Sequence, residues 1–215
     1  MLAILSVLLS SCIFNSVPSR LQLRNEIAAH VFKVMKSPIE GNGGTGFEVM
    51  APSGATFVMT NAHVCNILLA DGTSKIAWVS NGLIAMPRRV VAISDEKDLC
   101  LLEGISGGMG LKVSKDAPQV GEWLHVVGHP KLGPLIMSSG EFYEVCTINV
   151  AGPRMSTPSV KRGSYCTTAV ADVGSSGSPA VNEYGEVIGV LFAVDGKSRA
   201  ALVSLTDVKD FLLQR

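Results

Sequence analysis

This chain of 215 residues is predicted to fold as an all-β protein, a barrel or sandwich of short strands closed by one terminal helix. Three observations carry that expectation. Short apolar runs are separated by regular turn residues, as antiparallel strands require. The 22 glycines are spread through the chain, which favours turns and short strands over long helices. The last run, Leu205 to Leu213, alternates differently: Leu205, Val208, Phe211 and Leu212 share one helical face, with Ser204 or Thr206 as the cap.

The elements follow in order. Leu2 to Leu9 is apolar and too short to span a bilayer. It runs into Leu9-Ser10-Ser11-Cys12, which resembles a bacterial lipobox with Cys12 as the acylated residue, although no Lys or Arg precedes the apolar run. Residues 1–12 are therefore expected to be an export segment, with or without lipid, and residues 13–26 a tether. Ile27 to Met35 is expected as the first strand, ended by Ser37-Pro38. The dense run Gly41-Asn42-Gly43-Gly44-Thr45-Gly46 lacks the Gly-Lys-Ser/Thr of a phosphate loop and is expected as a turn feeding the strand Phe47 to Met50. Pro52-Ser53-Gly54 turns the chain back into Thr56 to Thr60, and His63 stands at that strand's end before a short helical turn. Ile76 to Val79, Leu83 to Met86 and Arg89 to Ile93 read as further strands. Asp98 follows the charged turn Asp95-Glu96-Lys97 and opens the strand Leu99 to Leu102. Glu122 to Gly128, Leu135 to Tyr143, Glu144 to Val150, Tyr165 to Val170 and Val187 to Val194 continue the pattern, with a polar excursion from Gly152 to Gly163.

Composition excludes several functions. Lys plus Arg and Asp plus Glu both number 18, without a long basic run, so nothing points to nucleic acid or an anionic membrane face. The hydrophobic fraction of 47% suits a globular chain with ample core. Beyond Cys12, the remaining cysteines are Cys65, Cys100, Cys146 and Cys166. Cys146 and Cys166 flank one excursion, and Cys65 and Cys100 each sit two residues beyond a candidate catalytic residue. Pairing and buried free thiols both remain open. No Cys-x-x-Cys or paired-histidine spacing suggests a metal, and no cofactor motif is present.

The chemistry concentrates in three segments. Gly174-Ser175-Ser176-Gly177-Ser178-Pro179 sets a serine in a glycine turn. Thr60-Asn61-Ala62-His63-Val64 carries a histidine, and Asp98-Leu99-Cys100-Leu101-Leu102 a carboxylate. A serine hydroxyl is a weak nucleophile until a base takes its proton. An imidazole is suited to that, and a buried carboxylate fixes its tautomer. His63, Asp98 and Ser176 are therefore the candidate catalytic set, with the N–H groups of Gly174 and Ser176 as the candidate oxyanion hole. Losing one such donor typically lowers the rate about 10²- to 10³-fold. His129, in Gly128-His129-Pro130, reads as a loop residue near the cleft, while His30 and His125 read as structural residues in apolar strands.

In these segments, together with Gly44-Thr45-Gly46-Phe47 and Gly185-Glu186-Val187-Ile188-Gly189-Val190, residues 27–215 resemble a trypsin-like (chymotrypsin-fold) serine peptidase. The closing Thr206-Asp207-Val208-Lys209-Asp210-Phe211-Leu212 is similar to bacterial HtrA-type and glutamyl-endopeptidase-like members, without the PDZ domain of the HtrA pattern. The resemblance implies two six-stranded antiparallel β-barrels, dividing near residues 105–120, with a C-terminal helix and the site between the barrels. It implies a serine endopeptidase acting on extended polypeptide through an acyl-enzyme. Val170, Leu191, Phe192, Ala193 and Val194 would bind substrate, the last three by strand addition. Val170 and Leu191 stand where relatives place charged or imidazole specificity groups, so an aliphatic pocket is expected, unless Asp172 turns inward. Ser175 stands where animal digestive members carry an Asp that pairs with a new N-terminus, so activation by that ion pair is not expected. Two alternatives are a catalytically silent peptide-binding protein on the same fold and a phage or viral processing protease.

Overall fold

The computed structural model describes residues 17–39, 41–70, 72, 75–150, 160–194 and 199–215. The export segment with Cys12, the start of the tether and most of the polar excursion lie outside them. The twelve strands described close into two antiparallel barrels. The first holds β1 (Val31–Met35), β2 (Gly43–Met50), β3 (Thr56–Thr60), β4 (Ile76–Ser80), β5 (Ala85–Ser94) and β6 (Leu99–Glu103) in the order β1-β2-β3-β6-β5-β4. The second holds β7 (Trp123–Gly128), β8 (Ile136–Val150), β9 (Val160–Val170), β10 (Pro179–Val181), β11 (Val187–Val194) and β12 (Arg199–Val203). Its order, β7-β8-β9-β12-β11-β10, repeats the connectivity of the first. Closure leaves neither sheet with a free edge along its full length.

Several sequence expectations change here; the runs Leu83–Met86 and Arg89–Ile93 meet in the single strand β5, and Leu135–Tyr143 and Glu144–Val150 in β8. Residues 20–26 are not a tether: Arg20–Ala28 forms helix α1, with Leu23 and Ile27 buried. A capping box starts it, Gln22 N–H donating to Ser19 Oγ and Ser19 N–H to Gln22 Oε1. The first strand consequently begins at Val31, and His30 sits in the turn before it rather than in a strand. The glycine run is likewise not a turn from Gly43 onward but the first half of β2.

One core joins the halves. Phe47, Met59 and Leu101 of the first barrel pack in the same cluster as Val127, Val190 and Phe192 of the second. Leu23 and Ile27 of α1 close one side. Val208, Phe211 and Leu212 of the C-terminal helix α3 (Leu205–Leu213) also join it. Burying each such side chain is worth about 1.5–3 kcal/mol, which fixes the two barrels against each other. The connecting stretch 104–122 bridges both, pairing Leu111 with Val49 and Val113 with Val187. The buried Glu48 carboxylate secures it by accepting the N–H groups of Ile105 and Ser106 at 2.6 and 2.7 Å.

The cysteine alternatives resolve as two disulfides, Cys65–Cys100 and Cys146–Cys166. The first joins helix α2 (Ala62–Leu68), which carries His63, to β6 across 35 residues. Replacing both Cys65 and Cys100 by serine is expected to lower unfolding free energy by about 3–4 kcal/mol, because the open chain regains loop entropy. Urea midpoints compared at equal m-value measure it, and a loss below about 1 kcal/mol contradicts it.

Candidate active site

His63 is the second residue of α2, whose start is set by the end of β3. Asp98 sits in the last residue of the β5–β6 turn, in the left-handed region at φ 52°. That conformation swings its carboxylate back over the first turn of α2. There Oδ1 accepts the His63 backbone N–H at 2.9 Å, and Oδ2 lies 2.9 Å from His63 Nδ1. Asn61 Nδ2 holds the Asp98 carbonyl at 3.0 Å. The carboxylate is buried while the imidazole stays about a third exposed, at 9% and 36%. One carboxylate thus fixes both the backbone and the ring of the histidine, and presents Nε2 outward as an acceptor.

Ser176 comes from the turn between β9 and β10, in the other barrel, and is half-buried. Backbone accounting in this turn is informative, because buried N–H and C=O groups are normally paired. The Val173 carbonyl accepts Lys131 N–H at 2.6 Å, and Ser175 N–H donates to the Asp172 carbonyl at 3.0 Å. The Gly174 carbonyl accepts Thr45 Oγ1 at 3.0 Å. The Ser175 carbonyl accepts both Ser178 N–H and Ser178 Oγ, at 3.0 and 2.6 Å. The Ser176 carbonyl accepts Thr45 N–H, and Gly177 N–H donates to the Leu191 carbonyl, both at 2.8 Å. Among the described residues, only the N–H groups of Gly174 and Ser176 are left without an acceptor in this stretch. A trans peptide points its N–H opposite its C=O. With the Val173 and Ser175 carbonyls held by Lys131 and Ser178, these two N–H groups point away from those partners.

The glycines are required by space. Gly174 has φ 88°, and a Cβ there would lie 2.7 Å from the Lys131 nitrogen. Gly44 in β2 is the meeting point of the two halves: its Cβ would lie 2.7 Å from the Ser176 carbonyl oxygen and 2.8 Å from a Val64 methyl. Ser176 and the helix carrying His63 therefore approach over one bare backbone. Among the described residues, Ser176 Oγ makes no hydrogen bond to the His63 ring. Such bonds are commonly long in free enzymes and shorten when substrate enters.

The other candidates are placed as follows. Val170 is exposed, at 60%, and lines a cleft of about 380 Å³ with Val126, Ile136, Met137 and Ala171. None of Leu191 to Val194 lines that cleft. Leu191 is buried in the second-barrel core and Phe192 in the inter-barrel core, whereas Ala193 is partly buried and Val194 exposed. The β10–β11 ladder ends at Val190, so Ala193 and Val194 extend past it. Asp172 lies at the rim of the cleft. Its Oδ1 accepts the Val173 N–H, its Oδ2 lies 3.1 Å from Lys131 Nζ, and these contacts hold its carboxyl below the usual range. Arg199, the register partner of Val170, lies over the Tyr143 ring.

His129 is buried, and its ring turns into its own loop, Nδ1 lying 2.9 Å from the Gly133 carbonyl. Burial pushes its pKa down, against the opposing pull of that carbonyl. Its backbone N–H donates to Thr45 Oγ1 at 2.9 Å. His125 is half-buried against Ser139 Oγ at 2.7 Å, and desolvation lowers its pKa as well. Sequence reading missed the roles of Thr45, Ser178 and Lys131 in the serine turn. For Thr45, the available signal was a lone hydroxyl inside a glycine run. Among the described residues, no group of three His, Cys, Asp or Glu could hold a metal, and no helix is long and apolar enough to cross a membrane.

A family model described as a trypsin-like peptidase domain matches residues 44–190. Among solved structures, the active form of the Rv3671c protease from M. tuberculosis superposes with a TM-score of 0.71 at 22% identity, covering 87% of this chain and 81% of that one. Two curated relatives are each 29% identical. One is the uncharacterized protein y4bJ of Sinorhizobium fredii, matched over 70% of this chain and 22% of its own length. The other is the putative protease Do-like 12, mitochondrial, of Arabidopsis thaliana, matched over 80% and 34%. The chain thus spans about a fifth to a third of the curated relatives it matches.

Proposed function

The chain belongs to the trypsin-like peptidase domain family, and we propose that it is a serine endopeptidase using Ser176, His63 and Asp98. Ser176 Oγ attacks the scissile carbonyl and gives its proton to His63 Nε2. The oxygen of the tetrahedral adduct is met by the N–H groups of Gly174 and Ser176. Collapse breaks the C–N bond, and His63 returns the proton to the departing amine. Water, deprotonated by the same nitrogen, then releases the acyl group and restores Ser176. Asp98 stabilises the imidazolium in each half. The observation that carries this reading is that the hydrogen-bonded Asp98–His63 pair sits on α2, which meets the serine turn over Gly44, and that in this turn the N–H groups of Gly174 and Ser176 have no acceptor among the described residues.

A fluorophosphonate probe tests it: covalent labelling at Ser176 is expected in the full chain, and a folded sample that stays unlabelled would contradict it. The side chain before the cut would sit in the cleft lined by Val170, Ile136 and Met137. These walls are apolar, and the Asp172 carboxylate at the rim is drawn off by Lys131. Cleavage after Val or Ala is therefore expected to exceed cleavage after Arg or Glu in a peptide library. The margin is modest, since one methylene is worth about 1–3 kcal/mol; a profile dominated by basic residues would overturn this pocket. An exported location fits the two disulfides, which persist in oxidising compartments.

A further inference from the structure

The glycine run that opens β2 looks, in sequence, like spacing. In the structure it surrounds one fully buried hydroxyl. Thr45 is 0% exposed, and all of its hydrogen-bonding groups have partners. Its Oγ1 accepts the His129 N–H at 2.9 Å and donates to the Gly174 carbonyl at 3.0 Å. Its N–H donates to the Ser176 carbonyl at 2.8 Å. Its own carbonyl accepts Thr60 Oγ1 at 2.7 Å. Thr45 therefore holds the carbonyls on both sides of Ser175, from the opposite barrel. Through His129 it also holds the loop whose Lys131 N–H fixes the Val173 carbonyl. That loop is strained, with Lys131 and Leu132 both at φ 54°. A strained loop keeps its shape only where its surroundings over-determine it.

We propose that Thr45 is a positioning residue whose hydroxyl, clamped between His129 N–H and the Gly174 carbonyl, aims the Gly174 N–H before substrate arrives, by fixing the peptide that follows Gly174 and the loop whose Lys131 N–H holds the Val173 carbonyl. This rests on the serine-peptidase reading above and adds that the turn is preformed by a side chain of the first barrel. The physical reason is rotational. Gly174 has no Cβ to restrict it, so its flanking peptide planes can turn unless their carbonyls are held. A peptide plane turned over presents a carbonyl to the developing oxyanion in place of an N–H.

The test compares Thr45→Val, which keeps the shape and removes the hydroxyl, with Thr45→Ser, which keeps the hydroxyl. For Thr45→Val, kcat is expected to fall about 10- to 100-fold with KM within about threefold, a part of the loss seen when one donor is removed outright. The affinity of a peptidyl trifluoromethyl ketone, which places an oxyanion on the same N–H groups, should fall in step with kcat/KM. Thr45→Ser should restore both. Thr45→Val at the wild-type kcat, or with kcat lost while ketone affinity stays unchanged, overturns the proposal. If Thr45→Val does not fold, Thr45→Ala removes the same hydroxyl with less bulk and carries the same expectations. Amide exchange at His129, read by NMR, needs no activity. It should accelerate in the hydroxyl-less variant, and wild-type protection there also overturns the clamp. A wild type that takes no fluorophosphonate defeats the catalytic reading instead, so the two failures are separable.

Discussion

Replacing Ser176 by alanine is expected to lower kcat/KM by about 10⁴-fold or more, with an unfolding free energy within about 0.5 kcal/mol of wild type. The two halves of that expectation have separate causes. The hydrogen bonds that hold the turn come from the backbone at Ser176, whose carbonyl accepts Thr45 N–H, so alanine leaves the packing intact. What disappears is the atom proposed to form the acyl bond. His63→Ala should cost a similar amount, because an unassisted hydroxyl at neutral pH is nearly inert. The double variant should be no worse than either single one, since each removes the same chemical route. Additive losses would show that the two side chains act in separate processes. The residual rate in all three should still exceed the uncatalysed rate, because the Gly174 and Ser176 N–H groups remain.

Much of this was legible before any coordinates. Period-two apolar runs and glycine turns give the strands, since their signal is local. The candidate set His63, Asp98 and Ser176 stood out because each member sits in a segment whose neighbours are as telling as the residue itself. What escaped was of two kinds. Helix α1 was misread as a tether because much of Arg20 to Glu26 is polar and the helix buries little besides Leu23 and Ile27. Its capping box, Ser19 to Gln22, was the one local clue. The second kind is contact between distant segments. Thr45 meets Gly174 at a separation of 129 residues, and no periodicity encodes that meeting. The same holds for the cleft at Val170. Reading the chain placed Leu191 beside it, whereas β11 turns Leu191 inward and β7 and β8 supply the walls.

Asp98→Asn should be nearly as damaging to kcat as loss of the nucleophile, about 10⁴-fold, while leaving the chain folded. Asp98 does two jobs that this substitution separates. As an acceptor for the His63 backbone N–H at 2.9 Å, an asparagine oxygen serves as well, so α2 stays capped by the turn. As a partner of His63 Nδ1 it differs entirely. A carboxylate accepts from Nδ1–H and leaves Nε2 free to take the serine proton. An amide either turns its NH₂ to the ring, forcing the proton onto Nε2, or keeps its oxygen there and offers no charge to stabilise the imidazolium. In both cases the base is disabled while its position is kept. The expected signature is therefore a fall in kcat with little change in KM, and slow fluorophosphonate labelling that rises with pH as hydroxide replaces the imidazole. Labelling at the wild-type rate near neutral pH would mean that Asp98 only props the helix, and that a different group orients His63.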